Sequence, residues 1–422
     1  MSKVWIQNFK ELATTPNREH ALRIMEAGLS AIDTETILRG AVRLTGETLT
    51  IQNEAIALKG VERIFVFAFG KAAARAAETL ESILGERIRG GVVIGTSLAR
   101  SERIETFVGT HPRPTETNVA ASRRLMEVAK GMTEKDLALV VVSGGGSALV
   151  CSPESEREQG TALYNAFLKS NGTIHELNIV RKHLSSLKGG GLAKLLYPAR
   201  VCGLVFSDVP GVHPEIIASG LTYFDQTTVE DAQRIIDKYK LGSYQLMETT
   251  KEKKYFERIT NLVLVSNLNA IEAMEQKALS LGYTVLVLST KVYDEVNLIS
   301  EELGLVSRPN QVVLAGGEPR LVVSGSHGTG GRNQYLSLAM ALKLKPNQVF
   351  ISFASDGRDN NDAAGGVVDA GTLERAKRAG IDIAKHVAEF DAMTALIKTG
   401  DLIYTGPTGT NVSDLMIMLE SK

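Results

Sequence analysis

Cysteine is scarce in this chain. Cys151 and Cys202 are the two present among 422 residues, and with no CxxC spacing they indicate neither a zinc site nor a disulfide framework, so a reducing compartment is expected. Excess charge of either sign is also missing. Lys and Arg total 47 against 48 Asp and Glu, a formal net charge of -1, which leaves no positive field for nucleic acid or an anionic membrane surface. No run approaches the roughly 20 apolar residues of a membrane span, and MSKVWIQNFKELATT has no signal-peptide core. The expectation is a cytoplasmic protein that acts on small molecules. Familiar fingerprints are missing too. There is no GxxxxGK[ST] loop and no GxGxxG after a strand with a following acid, which disfavours a P-loop kinase and weakens a nicotinamide enzyme. The nucleophile-elbow pattern GxSxG is broken at Gly145-Gly146-Ser147-Ala148-Leu149, and no EF-hand spacing occurs.

What is present has the pattern of an α/β protein. A chain of this length exceeds the ~250 to 300 residues at which single cores stop growing, so two domains are expected. Short apolar runs (RIFVFAF, LALVVV, VCGLVF, NLVLVS, QVVLA, VFISFA) alternate with segments of helical period such as KAAARAAETLESIL and RNQYLSLAMALKL. That alternation predicts, in each domain, a mostly parallel sheet flanked by helices in a Rossmann-like arrangement. Residues 2 to 45 read as mostly helical. The polar interval from 227 to 260 separates two such series, and the boundary is drawn within it, giving domains 1–245 and 246–422.

In a parallel sheet the loops after the strands' carboxyl ends share one edge, where ligands bind. Those loops carry Gly70-Lys71, Ser143-Gly144-Gly145-Gly146-Ser147, Ser207-Asp208, Ser266-Asn267, Gly316-Gly317-Glu318, Ser355-Asp356-Gly357 and a segment ending in Thr410-Asn411. Each is also compatible with ordinary turn chemistry; their recurrence at one edge suggests a ligand. Gly-rich amides before helices suit phosphate or carboxylate. Lys71, a mobile point charge, and Arg332, a planar fork behind Gly328, Gly330 and Gly331, suit a transferring phosphoryl group. Asp208, Glu318 and Asp356 follow strands and fit the one or two carboxylates that Mg2+ uses alongside substrate phosphates. Asp359 and Asp362 are read as a solvated turn or a helix cap. His111 and His183 are read as structural.

In this order, FAFGKAAARAA, VSGGGSAL, NIVRKHLSSLKGGGLA, FSDVPG, AGGE, GGRNQ, SDGRDNNDAAG and TGPTGTNVSDL resemble the glycerate 2-kinase family with its C-terminal MOFRL-type domain. The resemblance runs from about Lys71 to Leu415. It implies a two-domain enzyme that moves the γ-phosphoryl of ATP to the 2-hydroxyl of D-glycerate with Mg2+, in a cleft between the domains, and gives weight to Lys71 and Arg332. On this basis Lys71, Arg332 and Asp208 are expected to act in catalysis, Asp208 as a metal ligand or as acceptor of the hydroxyl proton. Ser143, Gly144, Gly145, Gly146 and Ser147 are expected to bind phosphate or the glycerate carboxylate. Lys188 is expected to support that carboxylate, with Asn267, Glu318, Asp356 and Asn411 completing the site and Asp356 also a metal ligand. The chain departs from the family pattern at Val212 and Tyr335, where acids are usual, at Asp359-Asn360-Asn361-Asp362, and at Ser413. The alternatives are a hydroxypyruvate reductase and a non-catalytic sugar-acid binding protein. A homo-oligomer is compatible with the sequence.

Overall fold

The computed structural model describes residues 3–170, 172–208, 213–323, 325 and 327–422. The chain forms two compact units. One comprises Thr34–Asp208 and His213–Leu264; the other joins residues 3–33 to Val265–Lys422. The division therefore falls at 264/265 rather than 245/246, and the first helices belong with the C-terminal residues.

The 34–264 unit contains a six-stranded sheet in the order Glu105–Val108, Ile88–Gly95, Arg63–Gly70, Asp136–Val142, Arg200–Phe206, Ile259–Val265. Its first five strands all pair in parallel. The run DLALVVV is buried along its whole length, as expected of an inner strand covered on both faces. The chain builds outward from Arg63–Gly70 in one direction, then returns to its other side with Asp136–Val142, which makes the gap between these two carboxyl ends a topological switch point. Helix Ala73–Leu84 buries Ala73, Ala74, Ala76, Ala77, Leu80 and Leu84; these recur on one face at helical spacing and pack on strands Arg63–Gly70 and Ile88–Gly95. A small antiparallel meander, Val42–Thr45, Thr48–Ile51 and Glu54–Ala57, precedes the sheet.

The other unit has a six-stranded sheet in the order Thr284–Val292, Gln311–Gly317, Asp414–Glu420, Gln348–Ala354, Gly365–Asp369, Leu402–Ile403. Only the first pair is parallel; the other four pairings are antiparallel. The expectation of a mostly parallel second sheet is corrected here. A strand covered on both faces is apolar throughout whichever way it runs, so the apolar run does not encode direction. Helix Pro16–Ala31 starts at Thr15, whose hydroxyl accepts from Arg18 N at 3.2 Å. It packs on helix Asn267–Ser280 and on strands Gln348–Ala354 and Asp414–Glu420. Arg18, 1% exposed, ties it down through Asp369 at 3.1 Å and Asp401 at 2.5 Å. No helix among the described residues is long and apolar enough to cross a membrane.

Candidate functional site

At the switch point of the parallel sheet, two of the expected loops are joined by hydrogen bonds. Ser143 N donates to Phe69 O at 2.9 Å and Lys71 N to Gly144 O at 2.9 Å. The Ser143 hydroxyl donates to Phe69 O at 3.0 Å and accepts from Ala72 N at 3.1 Å. Ser143 is thus buried and structural, holding the lysine turn against the glycine turn. Gly70 makes this approach possible: its φ is +111°, and a Cβ there would lie 2.2 Å from Ser143 Oγ and 2.5 Å from Ser143 O. Lys71 sits in the turn ahead of helix Ala73–Leu84.

The glycine turn does not offer all its amides outward. Gly146 N is spent on Ser143 O at 3.2 Å, closing a turn that leads into Gly146–Leu149. Ser147 Oγ lies 2.9 Å from Ser219 Oγ, and Ser219 Oγ donates to Asn178 Oδ1 at 3.0 Å. Because a serine hydroxyl has one proton, Ser147 must donate to Ser219, so its remaining capacity is as an acceptor. Ser219 belongs to a tight stretch, Ala218-Ser219-Gly220, with φ of 47°, 58° and 67°. No strand end or charge marks this stretch in the sequence, although IIASGL carries the small-residue signal of such a turn. Its carbonyls accept from the KGGG turn, Gly189 N to Ser219 O at 3.0 Å and Gly190 N to Gly220 O at 2.9 Å.

Asp208 follows strand Arg200–Phe206 at the same sheet edge and is half-buried. Val209, Pro210, Gly211 and Val212 lie outside the described residues. Lys188 has a different position from the one expected of a substrate ligand. It is 1% exposed, donates to Val150 O at 2.8 Å and is ion-paired with buried Glu156, so its charge is used inside the fold.

In the other unit, the carboxyl ends of Gln311–Gly317 and Gln348–Ala354 flank the amino end of the antiparallel strand between them, where Gly317 and Ala354 both pair with Asp414. This juxtaposition gathers Glu318, Asp356 and Asp414 at one edge. Arg332, the first residue of helix Arg332–Ala341, contacts Glu318 at 3.4 Å and makes a short hydrogen bond through Nε to buried Asp414. Burial opposes its charge, but the carboxylates of Asp414 and Glu318 outweigh that and raise its pKa. The Arg332 side chain as a whole is 34% exposed.

Asp359 caps the same helix across space, accepting from Asn333 N at 3.2 Å and Gln334 N at 2.8 Å. It reaches the helix end because residue 331 is glycine; a Cβ there would lie 2.2 Å from the Asp359 carboxyl. Burial and then the neighbouring Asp414 push the Asp359 pKa up to about 6, against the pull of those amides. The helix-cap reading of Asp359 describes it well, whereas Asp362 is exposed and pairs at 3.6 Å with Arg358.

Asp356 is half-buried, with Oδ1 accepting from Arg358 N at 3.0 Å. Asn411 accepts from Ser355 Oγ at 3.4 Å and Ser413 N at 3.3 Å. Asn267 is buried and donates to Thr290 O at 2.8 Å, which makes it a brace between helix Asn267–Ser280 and strand Thr284–Val292. Tyr335, at a position where the family pattern has an acid, is a core residue stacked on Phe390 with ring centres 5.4 Å apart. Asp414 was missed from sequence. Its signal was an acid at the mouth of the otherwise apolar run DLMIMLE.

A phosphate-suited loop pair at the switch point of one unit and an arginine held between carboxylates in the other define a two-part α/β enzyme class. Residues 20–251 match the family described as Domain of unknown function (DUF4147), and residues 311–414 the MOFRL family. The chain belongs to the glycerate 2-kinase family. It is 33% identical to the glycerate 2-kinase of Pyrococcus horikoshii over 95% of this chain and 97% of that one. The solved glycerate kinase of Thermotoga maritima superposes with a TM-score of 0.81 at 32% identity, covering 95% of this chain and 99% of that one. A chain from Agrobacterium vitis that bears a hydroxypyruvate reductase name is 35% identical over 85% of this chain and 87% of its own.

Proposed function

We propose that this enzyme transfers the γ-phosphoryl group of ATP to the 2-hydroxyl of D-glycerate, giving 2-phosphoglycerate and ADP. The observation that carries this reading is the hydrogen-bonded union of Gly70-Lys71 with Ser143-Gly144 at a sheet switch point, in a chain related along nearly its whole length to glycerate 2-kinases. In the reaction the 2-hydroxyl oxygen bonds to the γ-phosphorus as the bond to the β–γ bridging oxygen breaks. Such a transfer needs alignment and charge stabilisation more than covalent chemistry.

Lys71 and Arg332 are assigned to the charge on the equatorial oxygens, and Gly144 and Gly145 to phosphate or carboxylate contacts. Asp208 either receives the hydroxyl proton or holds the metal. Among the described residues no three His, Cys, Asp or Glu side chains are gathered as a cage. Mg2+ does not need one, since one or two carboxylates suffice when the rest of its shell is phosphate and water. Asp356 and Asp208 are the candidates, and the ion would neutralise phosphate charge.

The test is ADP formation with D-glycerate, ATP and Mg2+, with phosphorus NMR to distinguish the 2- from the 3-phosphate. Lys71→Ala should lower kcat ~100- to 1000-fold. If both cations serve one transition state, the Lys71→Ala and Arg332→Ala losses will be strongly non-additive. Hydroxypyruvate reduction by a nicotinamide cofactor, or glycerate binding without turnover, would displace the proposal, as would a near-normal kcat for Lys71→Ala.

A further inference from the structure

A second cationic group lies next to Ser147, and none of the site assignments uses it. Arg181 is in the last turn of helix Ile174–Lys182. Among the described residues its guanidinium makes no hydrogen bond or ion pair; its neighbour is the Tyr164 ring, with Cζ 5.7 Å from the centroid. An aromatic face supports a guanidinium without cancelling its charge. Arg113 lies over the same ring at 5.9 Å, but its fork is already bonded to Asn165 Oδ1 at 3.2 and 2.9 Å. Arg181 and Ser147 line one small pocket together with Pro112, Pro114, Gly160 and Leu184, with a volume of about 20 Å³. That holds about one water-sized group, the size of one end of a small acid rather than of a nucleotide.

The charges in the pocket wall leave a surplus. Glu156 also borders it, but this carboxylate is taken by Lys188 and by Ser152 N at 2.8 Å. Lys188 lies behind the wall and neutralises Glu156, so the charge of Arg181, the one cation among the described residues of the lining, is left over. Burial depresses the Arg181 pKa, a penalty that a bound anion would relieve.

Resting on the proposed phosphotransfer, we infer that Arg181 binds the carboxylate of the acceptor acid and that Ser147 Oγ accepts a hydrogen bond from its hydroxyl. A guanidinium offers the planar fork that a carboxylate needs, and the Ser147 proton is committed to Ser219, leaving an acceptor for an alcohol. Arg181 thus sets the preference for an acid over a neutral polyol; it takes no part in bond making.

The experiment compares the wild-type chain with Arg181→Gln and Arg181→Lys, using D-glycerate and the neutral D-glyceramide as acceptors. Loss of a charged hydrogen-bonded contact should raise KM for D-glycerate ~10- to 100-fold in Arg181→Gln, leave KM for ATP and for glyceramide unchanged, and be partly rescued in Arg181→Lys. Equal KM for glycerate in wild type and Arg181→Gln overturns the inference. If the wild-type chain forms no ADP with glycerate, the kinase reading fails separately, and titration calorimetry with D-glycerate then decides the role of Arg181. Binding that the Gln variant loses supports it; no binding to wild type, or equal binding to both, overturns it. Should the Gln variant fail to fold, a glycerate-specific KM rise in Arg181→Lys supports the inference and its absence overturns it.

Discussion

Replacing Gly70 by alanine tests whether the junction of the lysine and glycine turns is a fixed structural feature. The native φ of +111° is one that L side chains rarely adopt, and the strain amounts to about 1–3 kcal/mol. The new Cβ would lie 2.2 Å from Ser143 Oγ, 2.5 Å from Ser143 O and 2.8 Å from Gly144 O. Two of those atoms are backbone carbonyl oxygens in tight turns, so relief requires moving the loop, at about 1–3 kcal/mol for overpacking. Together these give roughly 2–6 kcal/mol, a large share of the ~5–15 kcal/mol that usually stabilises a domain. Urea denaturation of the full chain should show the transition of the 34–264 unit at a lower midpoint, and KM for ATP should rise because Lys71 N loses Gly144 O. Gly40, in helix Thr34–Ala41, is the control, since a Cβ added there would meet no atom within 4 Å; its alanine variant should be neutral or up to about 1 kcal/mol more stable. A Gly70→Ala variant within about 1 kcal/mol of wild type, with unchanged KM, would refute the reasoning.

Arg332→Gln should lose turnover and also about 3–5 kcal/mol of stability, because Asp414 is left buried without its partner; adding Asp414→Asn should restore the stability but not the turnover, and full stability in the single variant would contradict this. Asp359 has a native pKa of about 6, above the ordinary value of about 3.9. Its contribution is fully present below the ordinary value and is lost as pH rises through the native one, so wild type should lose about 3 kcal/mol relative to Asp359→Asn between roughly pH 4 and 6. Paired denaturation curves with a pH-independent difference would rule this out. Arg18→Met leaves Asp369 and Asp401 facing Arg375 alone, so thermal melting should register a loss of about 3 kcal/mol; an unchanged melting temperature would remove Arg18 as the tie of the first long helix.

The strands and helices of the 34–264 unit were legible because parallel βα units leave a repeating sign, an inner apolar run followed by a helix with small residues on one face, as in RIFVFAF and AARAAETLESIL. The edge at the strands' carboxyl ends followed from the same rule, which is why Lys71, the glycine run and Asp208 all fall on it. In the other unit the rule gave less. Glu318 and Asp356 lie at strand carboxyl ends, but Asp414 begins an antiparallel strand, and a search confined to carboxyl ends passes it by. Lys188 and Ser143 could be identified as polar residues near glycines, yet only the folded chain reveals that each is buried and bonded internally. Arg181 lies within the motif NIVRKHLSSLKGGGLA, but nothing there singles it out, because its lack of a carboxylate partner is a property of distant residues.

The strand Asp414–Glu420 lies inside its sheet, between Gln311–Gly317 and Gln348–Ala354, and helix Pro16–Ala31 rests partly on it. During synthesis helix Pro16–Ala31 therefore has to wait until residues 414–420 leave the ribosome before its seat exists. At ~5–20 residues per second that interval is roughly 20–80 s, long enough for the 34–264 unit to fold first. Deleting Asp414–Glu420 would remove a keystone of the sheet rather than a peripheral strand.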